Sequence, residues 1–257
     1  MESLKGKIAC VTGASSGIGA ACAVEFAKQG CALLLMARRE ERTNALARQL
    51  ESQFHSRTHC VRLDVRQQPR VEQAFGSLPE EWKGISILVN NAGLARGFSK
   101  IHEGDLQDWE EMIDTNIKGL LYVTRVVLPG MVKRNEGHII NIGSIAGHQL
   151  YPNGNVYCAT KYAVDALSQG LRMDLLGTAV RVSNVEPGLV QTEFSDVRFH
   201  GDTQRASQVY HGMTPLRPED IAEIAVFCAT RPPHVDVSDV IVMPTAQASV
   251  SHVHRSP

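Results

Sequence analysis

The chain has 257 residues, a length that fits one α/β domain or at most two small ones. With 43% apolar residues, 21% charged residues and a formal net charge of −1, it has an ordinary globular composition and no electrostatic case for nucleic acid or an anionic membrane. No apolar run reaches the roughly 20 residues a bilayer span needs, and the N-terminus runs into an apolar strand without a cleavable leader, so a cytoplasmic protein is expected.

In chain order, short apolar runs alternate with longer amphipathic stretches, the pattern of βαβ units around a parallel sheet. A strand over 7–12 leads through a glycine-rich turn into a helix over 17–29, followed by a strand over 31–37 and a helix over 40–54. Next come a strand over 59–63, a helix over 69–78, a strand over 85–89 and a long helix over 106–133. Pro129 inside that helix predicts a bend or an end. Strand 138–142, helix 155–176, strand 180–186, helix 218–230 and strand 240–243 complete the series.

Most of these strands are rich in Val, Ile and Leu without polar alternation, as expected where helices cover both faces. The fold class is therefore α/β, a single-domain doubly wound parallel sheet (Rossmann-type) of about seven strands over residues 1–244. Two regions break the pattern. Residues 189–215 are polar and aperiodic, long enough for an active-site lid. The tail, 245–257, is mostly small and polar and carries His252, His254 and Arg255; it reads as solvent-exposed or as an oligomer contact.

The six cysteines, Cys10, Cys22, Cys31, Cys60, Cys158 and Cys228, show no CxxC or CxxH spacing and read as small apolar residues. Only Cys158 lies beside the proposed site. No metal centre is expected.

Thr12-Gly13-Ala14-Ser15-Ser16-Gly17-Ile18-Gly19 joins the first strand to the first helix. Glycines there permit a tight turn and let backbone N–H groups approach a pyrophosphate at the positive helix end. The spacing is GxxxGxG and not GxGxxG, so the position in the first βα unit carries the reading. Asn90-Asn91-Ala92-Gly93 follows the fourth strand, Asn116 lies in the next helix, and Ser144 follows the fifth strand. Tyr157-x-x-x-Lys161 opens the following helix, and Pro187-Gly188 follows the sixth strand. A free phenol titrates near ~10 and is a poor base at neutral pH. Lys161, four residues on, shares a helix face with Tyr157, and an adjacent ammonium favours the phenolate. That pairing suits proton transfer at an alcohol or carbonyl oxygen.

In this order the motifs resemble the short-chain dehydrogenase/reductase superfamily over nearly the whole chain. The resemblance implies hydride transfer with Tyr157 as acid/base and Lys161 as its electrostatic partner and ligand of the nicotinamide ribose. Ser144 would hold the substrate oxygen, and Asn116 would hold a water linking Lys161 to solvent. Gly13, Ser15, Ser16, Gly17, Ile18 and Gly19 would cradle the cofactor, with Asp64 and Val65 flanking adenine. Asn91 would line the ribose, and Ala92, Gly93, Pro187, Gly188, Val190 and Thr192 would also bind the cofactor. NAD-preferring sites place an acid after the second strand; here it ends Met36-Ala37-Arg38-Arg39. Guanidinium groups match a 2′-phosphate, so Arg38 and Arg39 point to NADP(H). Two solvated arginines opening a helix are the alternative.

Within the superfamily, residues 114–120, 154–157 and 185–190 resemble NADP-dependent 3-hydroxy acid dehydrogenases, including serine and allo-threonine dehydrogenases. The run Thr192-Glu193-Phe194-Ser195-Asp196-Val197-Arg198-Phe199 is the most specific. Sulfoacetaldehyde reductases share much of this pattern. Both imply a small anionic substrate, which Arg198 in the lid would meet, with Arg96 a weaker choice and a solvated loop arginine the alternative. His148, Tyr151 and Asn155 are expected to line the pocket. The reading from a different class is a non-catalytic, redox-sensing dinucleotide binder, which commonly lacks the Tyr or Lys kept here. The resemblance also implies a homotetramer built on helices 106–133 and 155–176.

Overall fold

The structure, a computed structural model, describes residues 2–256. Seven strands run β1 (Ile8–Thr12), β2 (Ala32–Ala37), β3 (Thr58–Arg62), β4 (Ile85–Asn90), β5 (Gly137–Ile142), β6 (Val180–Pro187) and β7 (Asp239–Val242). The helices are α1 (Gly17–Lys28), α2 (Glu40–Phe54), α3 (Gln68–Gly76), α4 (Leu106–Ile113), α5 (Leu120–Arg134), α6 (Asn155–Asp174), α7 (Phe194–Arg198), α8 (Thr203–Gln208) and α9 (Pro218–Ala229). All strand pairs are parallel, in the order β3-β2-β1-β4-β5-β6-β7. Strand order reverses at β1, where Val11 lies opposite Leu35 of β2 on one side and Val89 of β4 on the other. A crevice opens beyond the carboxyl ends of strands at such a switch point.

Successive strand residues feed two cores. Ala9, Val11, Leu33, Leu35 and Val89 pack with Phe26 of α1 and Ile221 of α9. Ile8, Cys10, Leu34, Met36 and Leu88 pack on the other face with Val71 of α3 and Val127 and Met131 of α5. Phe26 and Ile221 are completely buried, and each contributes about 1.5–3 kcal/mol relative to exposure. Ala21, Cys22, Ala23 and Ala27 make α1 narrow on its buried side, opposite Ala222, Ala225 and Cys228 of α9. No helix among the described residues is long and apolar enough to cross a membrane.

The expected helix over 106–133 is one continuous helical run, in which α4 and α5 are joined by an irregular turn. The chain widens into a π-helical turn at Asp114–Gly119, while α5 runs through Pro129 to Arg134 and stops at Asn135, whose φ is 50°. The irregularity therefore falls around Asn116 and not at the proline. Such π segments concentrate at functional sites.

The lid region, 189–215, carries α7 and α8 and is pinned to the body. The Gly97 N–H donates to the Arg198 carbonyl at 3.0 Å, and Arg96 Nη1 donates to the Val197 carbonyl at 2.9 Å. Residues 245–256 fold back instead of trailing away. Gln247 is buried and its Oε1 accepts from the Leu189 N–H at 2.8 Å, while the Val250 N–H donates to Gln149 Oε1 at 2.9 Å.

Candidate active site

A single cleft crosses the carboxyl ends of β1, β2, β4, β5 and β6, roofed by the lid and by Gln247 and Val250. At its floor the glycine turn has Gly13 and Gly17 at φ +66° and +53°. Ser16 caps α1 with extended backbone and no side chain caps the first turn, leaving helix N–H groups available to an anion. A Cβ on Gly17 would press on Thr192 at 3.2 Å, and one on Gly19 would collide with the Gly13 carbonyl and the Asn91 amide. Gly19 therefore closes the turn against the Asn-Asn-Ala-Gly loop, behind the residues that line the cleft. Thr12 Oγ1 accepts from the N–H groups of Asn91 and Ala92, both at 3.0 Å, which stitches the ends of β1 and β4 together.

Arg38 and Arg39 open α2 at one end of the cleft, with Asp64 and Val65 beside them. Arg39 donates from Nε to Ser15 Oγ at 3.1 Å and from Nη2 to Ser16 Oγ at 2.5 Å. Its Nη1 also meets Glu193 of the lid at 2.7 Å, and Arg42 meets the second oxygen of Glu193 at 2.6 Å. Burial would raise the Asp64 carboxyl, but hydrogen bonds from Arg66 at 2.7–3.1 Å outweigh it and hold the group below its ordinary value.

At the other end stand the side chains suited to proton transfer. Ser144, Tyr157 and Lys161 are all buried and line the cleft. Ser144 Oγ accepts from the Ala146 N–H at 3.1 Å. Burial pushes the Tyr157 phenol well above its ordinary value, opposed by the Arg198 guanidinium and a hydrogen bond with Ser144. Lys161 Nζ donates to the Ile142 carbonyl at 2.8 Å, and burial brings its ammonium down to about 8, against the opposing charge of Glu186. The cation over the Tyr157 ring is thus Arg198, at 4.9 Å from the ring centroid, a neighbour that helical spacing alone could not show.

Asn116 lies behind the cleft, almost fully buried. Its Oδ1 accepts from the Leu94 N–H at 2.9 Å, and its Nδ2 donates to the Leu94 carbonyl at 2.8 Å and to Thr160 Oγ1 at 3.0 Å. The π turn supplies the extra residue that lets this amide hold the backbone of Leu94 both ways.

Arg198 reaches into the cleft from α7, between the rings of Phe98, Tyr151, Tyr157 and Phe194. One Nη donates to the Tyr151 hydroxyl, and Nε is buried without a partner. Arg96 is engaged elsewhere, with Glu111 at 2.9 Å and the Val197 carbonyl; it anchors the lid and is not free for an anion.

Most residues singled out in the sequence meet in this cleft, but two substrate-pocket expectations need correction. His148 turns behind it to Glu186 at 2.7 Å, in a group with Asp165 whose polar atoms lie within 4.8 Å of one another. Asn155 is the first residue of α6, its side chain donating to the Ser99 carbonyl at 3.0 Å and accepting from the Val156 N–H. Cys158 is buried and its thiol is pushed up by burial, so it has the character of a core residue. The sequence reading missed Glu193, Phe194, Tyr210, Gln247 and Val250 as lining residues. Glu193 and Phe194 sat inside the run already singled out, whereas the other three carry no local signal.

The chain matches the short chain dehydrogenase family over residues 7–202 and belongs to that family. It is an oxidoreductase acting on a hydroxyl or carbonyl group. It is 50% identical over 251 residues to the NADP-dependent 3-hydroxy acid dehydrogenase YdfG of Salmonella typhi, covering 97% of this chain and all of that one. It is 44% identical to the NADP-dependent 3-hydroxy acid dehydrogenase of Schizosaccharomyces pombe, covering 99% of each chain. Among solved structures it is similar to the closed form of a serine dehydrogenase complexed with NADP+, with a TM-score of 0.90, 48% identity and coverage of 97% and 100%.

Proposed function

We propose that this protein is an NADP(H)-dependent dehydrogenase of small 3-hydroxy acids. The observation that carries the anionic substrate is Arg198, a guanidinium with a buried, unpartnered Nε beside the phenol of Tyr157. A half-buried guanidinium with an unpartnered N–H suits an anion, and a 3-hydroxy acid brings a carboxylate near the reacting carbon. Near full-length identity of 44–50% to proteins named for that activity supports the same class.

The cleft fits the dinucleotide by its own chemistry. The uncapped turn of α1 suits a pyrophosphate, Arg38, Arg39 and Ser15 suit a 2′-phosphate, and Lys161 lies where it can reach a ribose. Bound there, NADP(H) supplies or accepts the hydride. Tyr157 Oη takes the hydroxyl proton in oxidation and returns it in reduction. Ser144 holds the substrate oxygen beside that phenol, and Arg198 fixes the carboxylate so that one face of the carbon is presented. Asn116 keeps the Leu94 backbone, and with it the Asn-Ala-Gly loop, in place next to Lys161. All six cysteines are free thiols, which agrees with the reducing cytoplasm as its location.

The test is steady-state oxidation of serine, other 3-hydroxy carboxylates, isethionate and 1-propanol with NADP+ and NAD+. The reading requires the highest kcat/KM for a 3-hydroxy carboxylate with NADP+. A preference for the neutral alcohol, or for NAD+, would overturn it.

A further inference from the structure

One of the two arginines expected to meet a cofactor 2′-phosphate, Arg39, is already held by a carboxylate from the lid. Glu193 places one oxygen 2.7 Å from Arg39 Nη1 and the other 2.6 Å from Arg42 Nη1. The same Arg39 contacts Ser15 and Ser16 of the glycine turn through Nε and Nη2, so the carboxylate engages the guanidinium that the turn holds in the cleft. Arg38, next in line, forms no ion pair among the described residues. Guanidinium donors that point at one oxyanion cannot serve a second one fully.

Glu193 also stands at a mechanical junction. It is the cap residue of α7, and the preceding Thr192 rests on Gly17 of the turn while its Oγ1 accepts from the Phe194 N–H at 3.1 Å. One turn further on, Arg198 lies over Tyr157. The carboxylate therefore ties the nucleotide end of the cleft to the element that carries the substrate's cation.

We propose that Glu193 is a specificity-determining residue whose carboxylate, braced by Arg42, competes with the cofactor 2′-phosphate for Arg39. A 2′-phosphorylated dinucleotide must displace it, at a cost that lowers the apparent affinity. A dinucleotide without that phosphate leaves the lid contact intact. The guanidinium pair keeps Glu193 ionised, with its carboxyl held down to about 2, so the competition operates across the whole physiological range. All three side chains are 42–51% exposed, so each contact is modest and screened by salt. The inference rests on the NADP(H) reading above.

The experiment is fluorescence titration of the full chain with NADPH and with NADH, comparing the unmodified protein with Glu193→Gln and Glu193→Ala. Both variants should bind NADPH about three- to tenfold more tightly, with the gain shrinking in 0.5 M salt. NADH affinity should change less than about twofold, because no phosphate contends for Arg39. A merely structural role would move both dinucleotides together and would overturn the proposal. Unchanged or weakened NADPH binding in Glu193→Gln, with the parent still preferring NADPH, would overturn this inference alone. Equal affinities of the parent for both dinucleotides would overturn the NADP(H) reading and this inference with it.

Discussion

The guanidinium carbon of Arg198 lies 4.9 Å from the ring centroid of Tyr157, on the cleft side of the buried phenol. On the proposed function, Arg198 would act on two partners, the substrate anion and the phenol. Truncation to Ala should raise KM for a 3-hydroxy acid, with a loss on the order of 2–5 kcal/mol in kcat/KM. For a neutral aldehyde the loss should be smaller, but the alkaline limb of its pH–rate profile should move upward, since the phenol loses a stabilising cation. Profiles that superimpose for the parent and Arg198→Ala would limit Arg198 to substrate binding.

Tyr157→Phe removes the transferable proton and little else. Turnover should fall by about 10²–10⁴-fold, while NADPH affinity stays within a few-fold of the parent by fluorescence titration. Substantial residual turnover would assign the proton to another group.

Lys161 should be an electrostatic burden on the fold. Burial lowers its ammonium from 10.5 to about 8, so between those values the unfolded chain holds a proton that the folded chain has released. Stability from this group therefore rises with pH across that window, and the cost of the buried charge is fullest below about pH 8. Lys161→Met should abolish activity yet raise Tm by about 2–4 °C at pH 7, with the gain shrinking toward pH 10. A lower Tm at pH 7 would show that the bond to the Ile142 carbonyl outweighs desolvation.

The pair behind the site has the opposite sign. The Glu186 carboxylate raises His148 above its ordinary 6.5, while burial raises the carboxyl of Glu186 itself; Asp165 and Asp239 add to both effects. The stabilisation from protonated His148 is fully present below about pH 6.5 and is lost as pH rises through the folded value. Urea unfolding should separate the parent from His148→Ala at pH 6 and bring them together by pH 9. A constant gap would mean that the contact is packing alone.

Leu121 and Val132 of α5 and Tyr162 and Met173 of α6 are exposed apolar side chains. We propose that these helices pair across a two-fold axis in a homotetramer, since isologous burial is the common outlet for such faces. Light scattering should return four times the 28.1 kDa chain mass; the monomer mass at micromolar concentration would refute it.

The apolar runs made the strands legible because a parallel sheet covered on both faces demands them, and the switch point at β1 follows from their order. That Ser144, Tyr157 and Lys161 share one cleft was legible because turn geometry and helical spacing act over a few residues. What escaped was non-local. His148 sits four residues from Ser144, yet it turns to Glu186, 38 positions away in the chain, a choice set by a buried carboxylate and not by spacing. Tyr210 and Gln247 entered the cleft through tertiary contacts with Val190 and Leu189. The wide turn in the long helix was invisible because Pro129 offered a stronger local signal than anything near Asn116.

That wide turn makes the protein sensitive to chain length at one place. Removing a single residue from Asp114–Gly119 would let the segment close into regular α-helix. Because a π turn absorbs one extra residue, the flanking faces would keep their places, and Met112 and Trp109 would stay in the cluster that holds Leu94, Ala95 and Tyr157. The loss would fall on the amide of Asn116, which holds the Leu94 N–H and carbonyl from the wide turn itself. A deletion there would leave the helix and its hydrophobic pattern intact while releasing the loop that faces Lys161.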